Sequence, residues 1–518
     1  MKFSGPPLFG AVSIALAHGN GHLNVNESHD YAHIHKACGI EGIEEDYTLR
    51  LPAANVLLNG DIDVLNHYAG NNTRSRPQDD LNPPSGHNWS HTTPCFNSII
   101  SNDVFCVFTD TSFANEQGIS CITNAQRGAY LSSLPPFTSP STTTNKPNPA
   151  KYTISSIPGK GLGLIATTRI PRGSVILSSH PTLMIDYRVF DELLRTDYMS
   201  LQAAAISSLP SAHRSAFFHL YTQSKNDTAG GRLSRIAQTD SIITTNAFDI
   251  SASPRSPFNP APPEPKQADD DDDDDTWYTV FASPISRLNH DCRPNADYRF
   301  DWEKGLVQVI TAVRDIFPGE EITISYINPL QSRHARQKHL RTVWGFDCSC
   351  ELCSRSLTKV RRTGESDRRV KLIKKVRRLL REEGKDGESS KVQGNGEWER
   401  TKMAELLVSL YKMEGLWGMV HETYAVAARE YNKAGEAWMA MKWAGLAVEF
   451  GTMVLGELDE EVREMKELAR DPWIVERKHE GYREKVEGEE RTEVEGDEKP
   501  EGFGVEDESD EDEDEEGW

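Results

Sequence analysis

The chain has 518 residues, 37% of them hydrophobic, enough to bury a large core and to fill two or three domains without disulfide or metal staples. Its formal net charge of -22 comes largely from an aspartate run at Asp269 to Asp275 and an acidic tail beyond Glu484. Such runs read as solvated disorder, the balance argues against general attraction to nucleic acid, and no apolar stretch reaches the roughly 20 residues that a bilayer span needs.

At the N-terminus Lys2 precedes an apolar run, Leu8 to Ala17, that ends on the small-x-small pattern Ala15-Leu16-Ala17. This predicts a secretory signal peptide over 1–17, and the acceptor triplets at Asn26, Asn71, Asn88 and Asn226 suit that route. Residues 18–150 are rich in His, Asn, Ser, Thr and Pro and read as a low-complexity region with a poor core, strand-like only at Val104 to Phe108 and Ile119 to Ile122. Its cysteines, Cys38, Cys95, Cys106 and Cys121, allow three disulfide pairings in an oxidising compartment and are otherwise buried or idle thiols. Ser132 to Pro149 reads as a linker.

From Tyr152 the pattern turns to short β-type runs: Tyr152 to Ile154, Leu164 to Thr168 and Val175 to Ser178. Between the first two lies Gly159-Lys160-Gly161-Leu162-Gly163, where missing side chains let backbone approach a ligand closely. Helical spacing then appears over Val189 to Leu209 and Ala212 to Tyr221, which makes 181–277 a helical insertion. The second half holds Asn289-His290-Asp291-Cys292-Arg293-Pro294-Asn295, a strand at Leu306 to Thr311, and Gly319-Glu320-Glu321-Ile322-Thr323-Ile324-Ser325-Tyr326, which alternates like a strand and ends on a phenol. Cys348-Ser349-Cys350-Glu351-Leu352-Cys353 follows.

In this order the four motifs resemble the SET domain of protein lysine methyltransferases. The resemblance spans about Tyr152 to Cys353 and departs from the family at Asp291, where serine is usual. It implies an α+β fold: a β-rich SET domain over 151–328 with a pseudoknot-like crossing, interrupted by the insertion, then a post-SET zinc segment over 329–356. It also implies S-adenosylmethionine as cofactor, held by Lys160, Gly161, Leu162, Gly163, Asn289, His290 and Phe346, with Tyr326 catalytic. Zinc is expected on Cys292, Cys348, Cys350 and Cys353; Cys350-x-x-Cys353 has knuckle spacing, with free thiols or a disulfide as rivals. The partner is a protein presenting a lysine, histone or non-histone. A catalytically weak SET-like scaffold is the alternative. The leader points to the secretory pathway, the family to nucleus or cytoplasm.

Beyond Cys353 a basic cluster from Arg361 to Arg381 carries Val370, Ile373, Val376, Leu379 and Leu380 at helical spacing, so it reads as a helix with a solvated basic face and no strong nucleic-acid signal. Residues 357–475 read as an all-α domain resembling tetratricopeptide helix pairs, with a plain helical bundle as the alternative, and with Trp438, Met441, Ala444, Val448 and Leu455 as one apolar face; 476–518 is an acidic tail. A SET domain followed by such helices resembles the SET-and-MYND group, without its MYND cysteines, and the helical end is a candidate docking site for a protein partner.

Overall fold

The computed structural model describes residues 89–138, 151–222, 234–251, 276–302, 305–354, 357–382 and 396–471. The leader, Cys38, the acceptor asparagines Asn26, Asn71, Asn88 and Asn226, the aspartate run and the acidic tail lie outside the described residues.

In chain order the strands and helices begin with β1 (Cys95–Asn97), β2 (Val104–Asp110), β3 (Ile119–Asn124) and α1 (Ala125–Ser133). Next come β4 (Tyr152–Ile157), β5 (Gly161–Ala166), β6 (Val175–Ser179), β7 (Leu183–Asp186), α2 (Arg195–Ser207), α3 (Ser211–Phe218), α4 (Arg235–Asn246) and β8 (Phe248–Ser251). The second half supplies β9 (Thr276–Val280), β10 (Asn289–His290), β11 (Ala296–Asp301), β12 (Val307–Ala312), β13 (Glu321–Ile324) and α5 (Arg333–Trp344). The C-terminal helices are α6 (Leu357–Glu382), α7 (Gly396–Glu414), α8 (Val420–Lys433), α9 (Ala437–Val454) and α10 (Glu460–Arg470).

One sheet of six strands runs β1-β2-β3-β7-β9-β8. For residues 89–138 it corrects the expectation of a poor core, because β3 is buried at all six positions between β2 and β7. Composition averaged over 18–150 hid this: β3 pairs in parallel with β7, about 60 residues downstream, so local sequence carries no trace of its burial. Cys95 and Cys106, facing each other across β1 and β2, form a disulfide, while Cys121 is buried and free. The expected linker begins too early, since Ser132 and Ser133 close α1. The helical insertion also needs correction. Its helices α2, α3 and α4 are present, but β7 and β8 belong to the same sheet as β1 to β3, and Leu201, Ala205, Phe217 and Ile242 pack on its Phe105, Ile122 and Leu183. A four-residue strand buried throughout, such as β7, shows no period-2 alternation to read.

The remaining strands make a four-stranded sheet, β10-β13-β5-β4, and a three-stranded sheet, β11-β12-β6. Leu164, Ile322 and Ile324 of the first meet Leu177, Ala296 and Ile310 of the second in one core. Strand β13 stops at Ile324, short of the expected end at Tyr326, because the Tyr326 backbone N–H turns to donate to His290 Nδ1 rather than along the sheet.

Helices α6 to α10 each pack on the next, α7 to α10 joined by short turns, around Tyr424, which stacks on Trp443 at 5.8 Å between centroids. Val370, Ile373 and Val376 of α6 are buried. The face expected for α9 is corrected: Trp438 is 83% exposed, and Ala440, Trp443, Ala444, Ala447 and Phe450 turn inward. That helix is apolar nearly all round, so periodicity could not select its buried side. Among the described residues no helix is long and apolar enough to cross a membrane.

Candidate active site

The glycine turn joins β4 to β5. Gly159 and Gly161 have positive φ, and nothing stands within 4 Å of where their Cβ atoms would be, so bare backbone is open to a ligand there. Gly163 is the reverse: a Cβ would fall 2.7 Å from Asn289 Nδ2 and from Ile157, and 3.0 Å from Glu321 Oε1. That close approach lets Asn289 Nδ2 donate to the Leu162 carbonyl at 3.2 Å and to Glu321 Oε1 at 2.8 Å. Lys160 Nζ reaches the other Glu321 oxygen at 2.7 Å. Glu321 therefore ties two of the expected cofactor positions, Lys160 and Asn289, together, a role that its place in a strand-like run did not disclose.

His290 is 3% exposed, and burial lowers its pKa to about 3, so the ring is neutral. Because Nδ1 accepts from the Tyr326 N–H at 3.0 Å, the proton sits on Nε2, which faces Cys292 Sγ at 3.4 Å. Both ring nitrogens are thus engaged within the protein, and any contact of His290 with a ligand must come from its backbone.

Tyr326 donates its hydroxyl to the Leu288 carbonyl at 2.6 Å, and burial raises its pKa, so it stays a neutral phenol. Beside it lies a cavity of about 40 Å³ walled by Phe248, Tyr298, Leu288, Ile324 and Trp344. Its size and aromatic lining suit a slender apolar chain with one polar end. Phe346 lies 6.3 Å from the His290 ring and 6.5 Å from the Tyr326 ring, centroid to centroid.

Cys292, Cys348, Cys350 and Cys353 are all buried, their sulfurs within 4.8 Å of one another. The thiols lie within contact of one another, Cys292 Sγ at 3.6 Å from Cys353 Sγ. Four buried sulfurs in so close a set fit a tetrahedral zinc ion; among the described residues no carboxylate or imidazole completes a harder donor set. The cluster packs with Ile327, Leu340 and Trp344, so it backs the wall of the cavity. From the other side, Arg293 donates to the Cys292 carbonyl and, at 2.5 Å, to Glu414 at the end of α7. Glu414 also accepts from Arg369 of α6 at 2.6 Å, so the helical segment is fastened onto the Asn289–Asn295 loop by a buried carboxylate between two guanidiniums. Pairs of this kind are costly to break, about 3–5 kcal/mol when one partner is removed.

The structure thus brings Lys160, Gly163 and Asn289 together around Glu321, joins His290 to Tyr326 and Cys292, and gathers the expected cysteines. Leu162 is tied in by its carbonyl alone, with its side chain exposed. Sequence reasoning missed Phe248, Tyr298 and Leu288, because the strands and turn that carry them had no motif of their own.

Residues 161–327 match the SET domain family. Histone-lysine N-methyltransferase set5 of Schizosaccharomyces pombe is 30% identical over 221 residues, 42% of this chain and 55% of that protein. Protein-lysine N-trimethyltransferase SMYD5 of Mus musculus is 49% identical over 71 residues, 13% of this chain and 17% of its own length. The chain thus spans about half the length of the first relative and far less of the second. The crystal structure of the SET domain of LSMT bound to lysine and AdoHcy is similar at 13% identity and a TM-score of 0.27, over 63% of this chain and 84% of that one, a likeness that carries no argument here.

Proposed function

We propose, from the premise that this chain carries a SET domain over 161–327 and is related to SET-domain lysine methyltransferases, that it transfers a methyl group from S-adenosylmethionine to the side-chain amine of a protein lysine. The observation that carries this reading is the narrow aromatic cavity beside Tyr326, which adjoins the open glycine turn through Leu288 and Asn289. Bound S-adenosylmethionine would supply an activated sulfonium methyl. Gly161, Leu162 and Gly163 would offer backbone to it, Lys160 and Asn289 side chains, His290 its backbone and Phe346 a ring face. Zinc would sit on Cys292, Cys348, Cys350 and Cys353 as a structural ion. The acceptor is a protein lysine, histone or non-histone, and helices α7 to α10 read as tetratricopeptide-like pairs able to dock a protein partner.

The chain's own task is to align the amine and exclude water. A lysine amine, with a free pKa near roughly 10.4, attacks only when neutral, and desolvation between the Phe248, Tyr298 and Trp344 rings disfavours its ammonium form. Tyr326 cannot take the proton as a base, because burial keeps it a phenol. Its hydroxyl hydrogen is committed to the Leu288 carbonyl, so its oxygen is left to accept from the amine N–H.

Isotope-labelled S-adenosylmethionine incubated with histones and with a lysine-peptide library tests the proposal, label on lysine Nε being the expected result. The rate should rise about tenfold per pH unit from pH 6 to 8, as the neutral amine becomes more abundant. His290 should contribute no inflection near 6.5, since burial lowers its pKa to about 3. Label absent from every acceptor while the cofactor binds would favour a non-catalytic scaffold. Gly163→Ala should weaken cofactor binding about tenfold or more with the fold retained, because its Cβ would displace Asn289 or Glu321, an overpacking cost of about 1–3 kcal/mol. Calorimetry reads this, and unchanged affinity would remove the glycine turn from the site.

A further inference from the structure

Helix α5 presents one face to the four-cysteine cluster. Arg333 donates from Nε and Nη2 to the Cys353 carbonyl at 3.1 and 2.8 Å. One turn on, Gln337 holds Cys348 by both backbone groups, its Nε2 donating to the carbonyl at 2.7 Å and its Oε1 accepting from the N–H at 3.1 Å. Between these two, at the same helical face, lies Arg336. Its side chain is 0% exposed, one of the largest fully buried groups in the chain. Nη1 donates to the Gln331 carbonyl at 2.5 Å, but Nε and Nη2 are buried without a hydrogen-bond partner. Among the described residues no carboxylate pairs with it, the nearby Glu414 being taken by Arg293 and Arg369.

A buried guanidinium with two unmet N–H groups is among the least tolerable arrangements in a protein interior unless an anion lies against it. The groups that face its guanidinium are Cys292 and Cys353. Neutral thiols would leave the cation uncompensated. Four thiolates around a divalent ion carry a net charge of about -2, and would meet it.

We propose that Arg336 is the internal counter-cation of the four-cysteine site, donating Nε–H and Nη2–H to the sulfurs of Cys292 and Cys353 when they hold a metal, and so setting how tightly the site retains zinc. This rests on reading the cysteines as a zinc site. N–H···S donation lowers the charge on the sulfurs and makes the thiolates easier to form, while Arg333 and Gln337 fix the ligand backbones. Sequence analysis could not find this, since Arg336 sits in an arginine-rich helix that reads as surface.

The test is zinc affinity of the full chain, measured by competition with a chromophoric chelator, for wild type, Arg336→Met and Arg336→Lys. Outer-shell substitutions typically cost about 10–100-fold in metal affinity, and Arg336→Met should fall in that range, with Arg336→Lys losing less but about threefold or more. A second readout separates this from a merely structural role. The metal-free Arg336→Met protein should melt no lower than the metal-free wild type, because an uncompensated buried cation has been removed. Affinity within twofold of wild type in Arg336→Met, or lower melting of its metal-free form, would overturn the proposal. If Arg336→Met does not fold, Arg336→Lys decides, unchanged affinity again overturning it. A wild-type chain that binds no zinc would instead show that the metal reading itself has failed.

Discussion

Replacing Tyr326 by phenylalanine is expected to cut methyl transfer by about 100-fold or more while cofactor affinity stays within about twofold, an effect of the size seen when one preorganised hydrogen-bonding group is removed from a closed site. The ring would still pack at 5.5 Å from Trp344 and 5.4 Å from His290, so the cavity keeps its wall. The backbone N–H of residue 326 would still donate to His290 Nδ1, so the turn after β13 keeps its shape. What is lost is the hydroxyl that donates to Leu288 and accepts from the amine. The Leu288 carbonyl loses its partner at a cost of about 1–3 kcal/mol, too little to unfold the domain. Turnover under saturating cofactor, paired with calorimetry, separates the two quantities. Activity near wild type would remove Tyr326 from the chemistry.

Loss of the metal should act more broadly. Cys350→Ser is expected to lose zinc, to weaken cofactor binding at least about tenfold and to abolish detectable transfer, since structural zinc binding is coupled to local folding. The reason lies in what the cluster supports. Ile327, Leu340 and Trp344 pack on it, Cys292 faces the His290 ring that holds the Tyr326 backbone, and Phe346 stands two residues before Cys348. Without a metal the four thiols join the Asn289–Asn295 loop to the segment after α5 only through weak contacts such as Cys292 Sγ to Cys353 Sγ at 3.6 Å. Elemental analysis, calorimetry and turnover on the same preparation check it. A metal-free protein with full activity would show that neither the zinc nor its coupling to the site is real.

The parts of the site that the sequence disclosed are those carried on short, contiguous runs of unusual residues. Gly159 to Gly163, Asn289 to Asn295, Glu321 to Tyr326 and Cys348 to Cys353 each announce themselves locally, and the fold brings them together as the resemblance implied. What stayed hidden depends on pairing across long separations. Strand β3 is buried because β7 lies beside it, Phe248 reaches the cavity because β8 pairs with β9, and Glu414 meets Arg293 across 121 residues. None of these partnerships leaves a local period or motif. Helix α5 was hidden differently: its Arg333, Arg336 and Gln337 look like a solvated face, and only the cysteines packed against them reveal otherwise.

The most direct test of the central claim is a calorimetric titration of the purified, zinc-replete chain with S-adenosylmethionine, because it does not depend on knowing the acceptor. The account predicts saturable binding at one site per chain, with binding weakened about tenfold or more in Asn289→Ala, whose side chain locks the glycine turn to Glu321. No binding of S-adenosylmethionine or of its demethylated product by a folded wild-type chain, or equal affinity in wild type and Asn289→Ala, would contradict it.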